Sequence, residues 1–189
     1  LFYHSEIPDQ GNLVLSLRDF NEESENSVLD RSGNGNNGEV YGVTVDTNIP
    51  SVPTYTYVPD DNFEQALIDL GYDDVLDDYV YTENISGLTA LNLGEKGIAD
   101  LTGIQDFISL TELSVRFNQL TELDVTNLTS LTNLDLASNQ ITTLDLSNNT
   151  SLQYLFASNN QLTEMNVGNI NSLIQIKYNY NELHDLDLT

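Results

Sequence analysis

The sequence predicts a solenoid: short coils stack side by side, a short parallel β-sheet lines a concave face, and the convex side is extended and turn-rich. Three observations carry this. Similar stretches of 21 residues follow one another from Leu110. Apolar residues recur at matching places in each stretch, so a coil can bury them only against its neighbours. Just ahead lies a segment with helical spacing, suited to cap the open end of the first coil. The 189 residues divide accordingly. Residues 1–47 form a partial β segment or arm, 48–59 a proline-containing linker, 60–84 a helical cap and 85–189 the coils.

The first segment is a different kind of text. Leu13 to Leu17 and Val40 to Val45 alternate and predict two strands. Between them runs DRSGNGNNG, with Gly33, Gly35 and Gly38 in GxGxxG spacing. No helix follows and no βαβ unit surrounds it, so a turn-rich loop is the better reading. Asp30, Asn34 and Asn36 supply the oxygens here that could suit calcium. The run LVLSLRDFNEESENSVLDRSGNGNNGEVYGVT resembles the opening of a laminin-G-like or concanavalin-A-like jelly roll. That resemblance implies many more strands than about 45 residues supply, and two strands alone are marginal in water. The segment is therefore expected to pack on something further. Pro50, Pro53 and Pro59 then predict an extended linker.

Asp61-Asn62-Phe63-Glu64 has the spacing of a capping box, with Asp61 as the N-cap. Phe63, Ala66, Leu67 and Leu70 fall on one helical face, and Gly71 supplies the stop. The acids that follow, Asp73, Asp74, Asp77, Asp78 and Glu83, invite a calcium loop. The register is wrong for one. A loop begun at Asp73 puts Val75 third and Asn84 twelfth; one begun at Asp74 puts Leu76 and Ile85 there, and the central glycine is missing. A solvated acidic turn is expected.

The coils read LTELSVRFNQLTELDVTNLTS from Leu110, LTNLDLASNQITTLDLSNNTS from Leu131 and LQYLFASNNQLTEMNVGNINS from Leu152. A 22-residue copy starts at Leu88 and a shortened one at Leu173, making five. Leu110, Leu113, Val115, Leu120, Leu123, Val125 and Leu128 are read as columns that stay apolar in the later copies. Alternation around Leu113 and Val115 predicts a strand, paired in parallel with the next coil's. The ninth position holds Asn118, Asn139, Asn160 and Asn181, with Lys96 in the first copy. This ladder is read as structural, its side chains satisfying backbone groups of their own and the next coil.

The pattern LxxLxLxxNxLxxLDLS resembles the leucine-rich repeat family. Its Thr/Ser/Asn-rich, 21-residue form is similar to secreted and surface proteins of Bacteroidetes-type bacteria. The stretches VPDDNFEQALIDLGYDD and IADLTGIQDF (Ile98 to Phe107) resemble the cap and repeats of internalin-like proteins. The resemblance implies a leucine-rich repeat solenoid in a secreted or cell-surface protein. It says little about a ligand, because repeat scaffolds host many functions.

Acidic residues outnumber basic ones 30 to 5, for a formal charge of -25. Such a surface repels phosphate backbones and anionic lipid, so nucleic acid is not an expected partner. No apolar run approaches the roughly eighteen residues of a membrane span, so no insertion is expected. Cysteine is absent, which removes disulfides, thiolate metal sites and cysteine nucleophiles. His4 and His184 are the two histidines, and His184 takes a column held by Thr121, Thr142 and Thr163, where the repeat logic places no serine or acid near it. Asp124, Asp145 and Asp187 recur as a column on the back of the coil, more like solvated turns than an acid/base pair. No enzyme activity, cofactor or resident metal is expected.

Binding is the better hypothesis. One outward column of the strands reads Ala90, Glu112, Asn133, Tyr154, Gln175, and another Asn92, Ser114, Asp135, Phe156, Lys177. Just beyond the strand come Glu95, Phe117, Ser138, Asn159 and Tyr180, with Arg116 beside Phe117. Tyr154, Phe156, Lys177, Asp135, Phe117, Arg116 and Tyr180 are the candidate binding residues, since exposed aromatics on a sheet mark contact surfaces. Their ligand would be a glycan or a protein. The alternative is a spacer or assembly domain in a larger polysaccharide-handling or adhesion protein. The text stops in mid-coil at Thr189, so further repeats or another chain are expected to cover the last coil.

Overall fold

The computed structural model describes residues 53–183, together with the backbone of two short strands, β1 (Ser27–Val28) and β2 (Gly38–Glu39). The chain divides into two units, Leu1–Pro50 and Ser51–Thr189. In the first, β1 and β2 pair antiparallel, Ser27 opposite Glu39 and Val28 opposite Gly38. The strands expected at 13–17 and 40–45, the jelly-roll likeness, His4 and the calcium candidates Asp30, Asn34 and Asn36 lie outside the described residues. So do His184, Asp187 and the end of the last coil.

The second unit opens with β3 (Tyr55–Tyr57), α1 (Asp61–Asp69), β4 (Tyr79–Tyr81) and a single turn, α2 (Thr82–Ile85). Strand β3 falls within the stretch expected to be a linker. It pairs antiparallel with β4, Tyr55 opposite Tyr81 and Tyr57 opposite Tyr79. Tyr-Thr-Tyr and Tyr-Val-Tyr both carry β-favouring residues with period two, so Thr56 and Val80 turn inward and are buried. Thr56 Oγ1 donates to Asp106 Oδ2 at 2.7 Å, fastening this sheet to the first coil. Gly103 completes the joint. Its φ is +99°, and a Cβ there would stand 2.5 Å from the Tyr57 carbonyl oxygen.

The helix is capped by Asp60, not by Asp61. Asp60 Oδ1 accepts from the backbone N–H of Asn62 at 2.9 Å and of Phe63 at 3.0 Å. Glu64 does not reach back to close a capping box. It is fully buried, and its Oε1 accepts from the N–H groups of Asp77 at 2.9 Å and Tyr79 at 3.1 Å. The acidic turn is thus folded around an internal carboxylate. At the other end Gly71 has φ +80°, its N–H donates to Ile68, and that of Tyr72 donates to Leu67. These are the paired bonds of a Schellman stop. Phe63, Ala66 and Leu67 are buried, with the Phe63 ring 6.0 Å from that of Phe107 in the first coil. Leu70, expected on the same face, is 46% exposed because it is the C-cap and lies past the last packed turn.

The coils contribute β5 (Ala90–Asn92), a 3-10 turn (Ile104–Asp106), β6 (Glu112–Ser114), β7 (Asn133–Asp135), β8 (Thr143–Asp145), β9 (Tyr154–Phe156), β10 (Glu164–Asn166) and β11 (Gln175–Lys177). Strands β5, β6, β7, β9 and β11 form one parallel sheet in that order. Leu91, Leu113, Leu134, Leu155 and Ile176 stand in register through its centre. The return path is more ordered than turn-rich: β8 and β10 make a second parallel ladder, with Leu144 opposite Met165. Their Thr-Leu-Asp and Glu-Met-Asn text has the same in-out alternation as the main strands, which explains the pairing.

Between the two ladders lies one core, including Leu110, Leu120, Val125, Leu131, Leu136, Ile141, Leu146 and Leu162. The Leu128 column is not apolar throughout. In the next coil it holds Asn149, fully buried, whose Nδ2 donates to the carbonyls of Val125 at 3.0 Å and Leu128 at 2.9 Å. Each of these carbonyls also accepts one backbone N–H of its own turn, from Leu128 and from Leu131, so the amide adds a second bond to each and ties its coil to the preceding one, which a leucine could not do.

The asparagine ladder works the same way on the strand side. Asn139 Nδ2 donates to Val115 and Leu136, each at 3.0 Å, while its Oδ1 accepts from the N–H of Leu120 at 3.1 Å. Asn118 and Asn160 repeat the pattern, and Asn181 follows at the last coil. Each side chain reaches its own coil and the preceding one, rather than the next.

Candidate functional site

The parallel register fixes which side chains share the outer strand face. Ala90, Glu112, Asn133, Tyr154 and Gln175 stand in one row, and Asn92, Ser114, Asp135, Phe156 and Lys177 in another. Tyr154 and Phe156 flank buried Leu155, so both leave the core on the same side and are half-buried there. Lys177 lies one strand away and carries its Nζ 5.3 Å from the Phe156 ring centroid, within cation–π range. Asp135, on the other neighbouring strand, turns its Oδ1 onto the Ala137 N–H at 3.1 Å. That bond holds the chain as it leaves the strand, so this carboxylate shapes the turn besides facing outward.

Arg116 and Phe117 form a second group on the coil of β6, the guanidinium 5.8 Å from the ring centroid. Two strand spacings, roughly 9–10 Å, separate their coil from that of Phe156. The seven candidate residues therefore make two clusters rather than one, with Asp135 on the strand between. Phe117 and Tyr180 are 54% and 81% exposed. Both have left-handed backbone, φ 56° and 60°, as do Glu95, Ser138 and Asn159 in the same column. The turn into the asparagine rung imposes that conformation, and in an L-residue it costs about 1–2 kcal/mol. It aims the side chain away from the coil.

A cleft of about 290 Å³ opens elsewhere on the coils, lined by Asp100, Gln105, Glu122, Asp124, Thr126 and Asp145 among others. Its chemistry is that of ordered turns. The Thr126 hydroxyl, then its backbone N–H, holds the Asp124 carboxyl below the usual range. Asp145 is lowered chiefly by the Ser147 N–H. Both favour the ionised form, whereas a general acid needs its pKa raised.

Sequence reasoning missed Tyr55, Tyr57, Tyr79 and Tyr81. They project from the outer face of the β3–β4 sheet and are 52%, 48%, 47% and 43% exposed. The Tyr55 and Tyr81 ring centroids are 4.6 Å apart, and those of Tyr57 and Tyr79 5.4 Å. The Tyr81 side-chain hydrogen bond raises the pKa of Tyr55. The signal was the period-two spacing in both runs, hidden because the first lay among prolines.

A family model described as leucine-rich repeats, in two copies, matches residues 108–149. With the stacked parallel ladder, this decides the matter. The coils are leucine-rich repeats. The chain is 32% identical over 89 residues to internalin J of Listeria monocytogenes serotype 4b (strain F2365), which covers 46% of this chain and 10% of that protein. Among solved structures, an internalin (inlF) from Listeria monocytogenes aligns at TM-score 0.55 and 21% identity, over 73% of this chain and 49% of that one. The functional domain of InlJ aligns at TM-score 0.47 and 26% identity, over 72% and 40%. The chain thus spans about a tenth of its curated relative and at most about half of either solved structure. Among the described residues, no helix is long and apolar enough to cross a membrane.

Proposed function

We propose that these leucine-rich repeats are a non-catalytic binding module of a secreted or cell-surface bacterial protein, and that the outer strand face takes a partner protein. The observation that carries the reading is the Tyr154–Phe156–Lys177 cluster, two aromatic rings and a cation on adjacent strands of the parallel sheet. Aromatic and basic anchors surrounded by polar side chains are the composition of protein interfaces. Acids and bases alternate across the face, Glu112, Arg116, Asp135 and Lys177, which suits a polypeptide carrying both signs of charge better than a neutral glycan. The listerial relatives support the bacterial setting.

The test is a comparison of the chain with its Tyr154→Ala/Phe156→Ala variant. Immobilised chain is presented with a fractionated extract of cell-surface proteins and, separately, with a panel of neutral and acidic polysaccharides. A saturable protein signal that weakens about tenfold or more in the variant is expected. A saturable response to polysaccharide alone would replace the protein by a glycan. No saturable response, or one the variant leaves unchanged, would overturn the reading in favour of a spacer.

A further inference from the structure

Four tyrosines on the outer face of the β3–β4 sheet are not used by the strand face. Their backbones are held firmly. Thr56 and Val80 are buried beneath them, Thr56 is hydrogen-bonded to Thr82 at 2.9 Å as well as to Asp106, and Gly103 packs against the Tyr57 carbonyl. The rings are not needed to fill the core. They form two cross-strand pairs inclined at 33° and 45°, and each tyrosine stays between 43% and 52% exposed. The pairs follow one another along the strands at a spacing of roughly 7 Å. Val75 and Leu76, in the turn leading to Tyr79, are also exposed, 51% and 49%.

The charge of the cap segment is strongly negative. Residues 53–95 contain ten Asp or Glu and no Lys or Arg, and the next residue, Lys96, is engaged with Asp69 of the helix at 3.3 Å. Asp77 and Asp78 immediately precede Tyr79, Glu83 follows Tyr81 by two residues, and all three are exposed. Asp77 is close enough for its charge to act on the Tyr55 hydroxyl. An anionic ligand would be repelled, and a neutral sugar would gain nothing from the carboxylates and would meet tilted rings rather than a level platform. Cations gain twice, from the negative faces of the rings and from the carboxylates at their rim.

We propose that the tyrosine face of the β3–β4 sheet is a second docking surface, whose occupant is a lysine- or arginine-rich segment of a partner protein. Its basic side chains lie over the tyrosine rings, with their ammonium or guanidinium groups reaching Asp77, Asp78 and Glu83. This surface is separate from the strand face, and either can fail without the other.

The probe is a fluorescein-labelled twelve-residue peptide alternating arginine with glycine or serine, followed by fluorescence anisotropy at near-physiological salt. A charge of -25 attracts any polycation, so the decisive comparison is between variants of equal charge. Tyr57→Ser/Tyr81→Ser is expected to bind about fivefold or more weakly than the parent, with its thermal midpoint recorded to show that the sheet persists. Tyr57→Phe/Tyr81→Phe keeps the ring faces and is expected to bind like the parent. Tyr154→Ala/Phe156→Ala, on the other face, is expected to leave the signal unchanged. Equal affinity of parent and serine variant would overturn the proposal, as would stronger binding of a neutral oligosaccharide such as cellohexaose at the tyrosine face.

Discussion

Asp60 accepts a hydrogen bond from the backbone N–H of Asp100 at 3.0 Å, with the same oxygen that accepts from Ala99 at 2.8 Å. Its other oxygen caps helix α1. One side chain therefore joins the N-terminal cap to the first coil across 40 residues of sequence. All four bonds are to a charged acceptor and are stronger than neutral ones. An ordinary N-cap lost to alanine costs about 0.5–2 kcal/mol. Asp60→Ala also breaks the two bonds to the exposed Ala99 and Asp100 N–H groups, which water can then partly satisfy, and is expected to cost about 1–3 kcal/mol. Asp61→Ala is expected to stay within about 0.5 kcal/mol. Urea unfolding of the two variants distinguishes them, and equal midpoints would show that the joint carries no weight.

The asparagine rungs predict a gradient along the solenoid. Asn139 is 8% exposed and makes three bonds to buried backbone. Asn139→Ala strands the Leu120 N–H and leaves the Val115 and Leu136 carbonyls one amide each, from Asn118 and Asn160, and is expected to cost about 1–3 kcal/mol. Asn139→Leu restores volume but no hydrogen bonds and is expected to rescue little. Asn181→Ala, at a half-buried rung, is expected to cost less than half as much. Chemical unfolding of all three variants checks the order. A leucine variant as stable as the parent would mean that the rung packs rather than bonds.

Much of this was legible in the text, for a physical reason. A repeat states each structural demand several times, so Leu113, Leu134 and Leu155 could be aligned to one column and one strand register without coordinates. The outward rows through Tyr154 and Phe156 followed from that register. Single-copy features had no such averaging. Asp60 and Asp61 are adjacent acids, and only the position of Ala99 and Asp100 decides which one caps the helix. Glu64 fits a capping box as text but is drawn inward by the N–H groups of Asp77 and Tyr79. Asn149 broke an apolar column because the carbonyls it satisfies belong to the preceding coil. The tyrosine face needs two segments brought together, which neither segment states alone.

Asp73 predicts a pH dependence of the cap. Its carboxyl is raised above the usual range, first by burial and then by the charges of Glu64, Asp77 and Asp74, with the Asp74 N–H opposing. Asp73 Oδ2 and Glu64 Oε2 are both buried without a hydrogen-bond partner. An acid whose pKa rises on folding binds its proton more tightly in the folded state. Its ionised form is therefore a liability at neutral pH, relieved as pH falls through the raised value and gone below the unfolded value, near 4. Asp73→Asn keeps an acceptor for the Asp74 N–H and removes the charge. It is expected to be the more stable at pH 7, by under about 1 kcal/mol because the site is partly solvated. The gap should narrow toward pH 4, as thermal midpoints of both proteins across that range would show. A gap that widens on acidification would reverse the sign and refute the assignment.

Phe117 sets stability against recognition. Its φ of 56° is one a phenylalanine adopts at a cost, while Asn159 holds the same column at 58°. Asparagine tolerates this conformation, so Phe117→Asn is expected to stabilise the fold by about 0.5–1 kcal/mol, even after losing the contact with Arg116. An exposed aromatic kept at a strained position fits a surface residue that serves binding. If Phe117 touches the protein bound on the strand face, the same substitution should weaken that complex severalfold. Unfolding free energy and affinity would then move in opposite directions. Greater stability with unchanged affinity would confine the contact to the Tyr154–Phe156–Lys177 cluster. Lower stability would show that the turn into Asn118 favours the aromatic for packing, and that relief of backbone strain is the smaller effect.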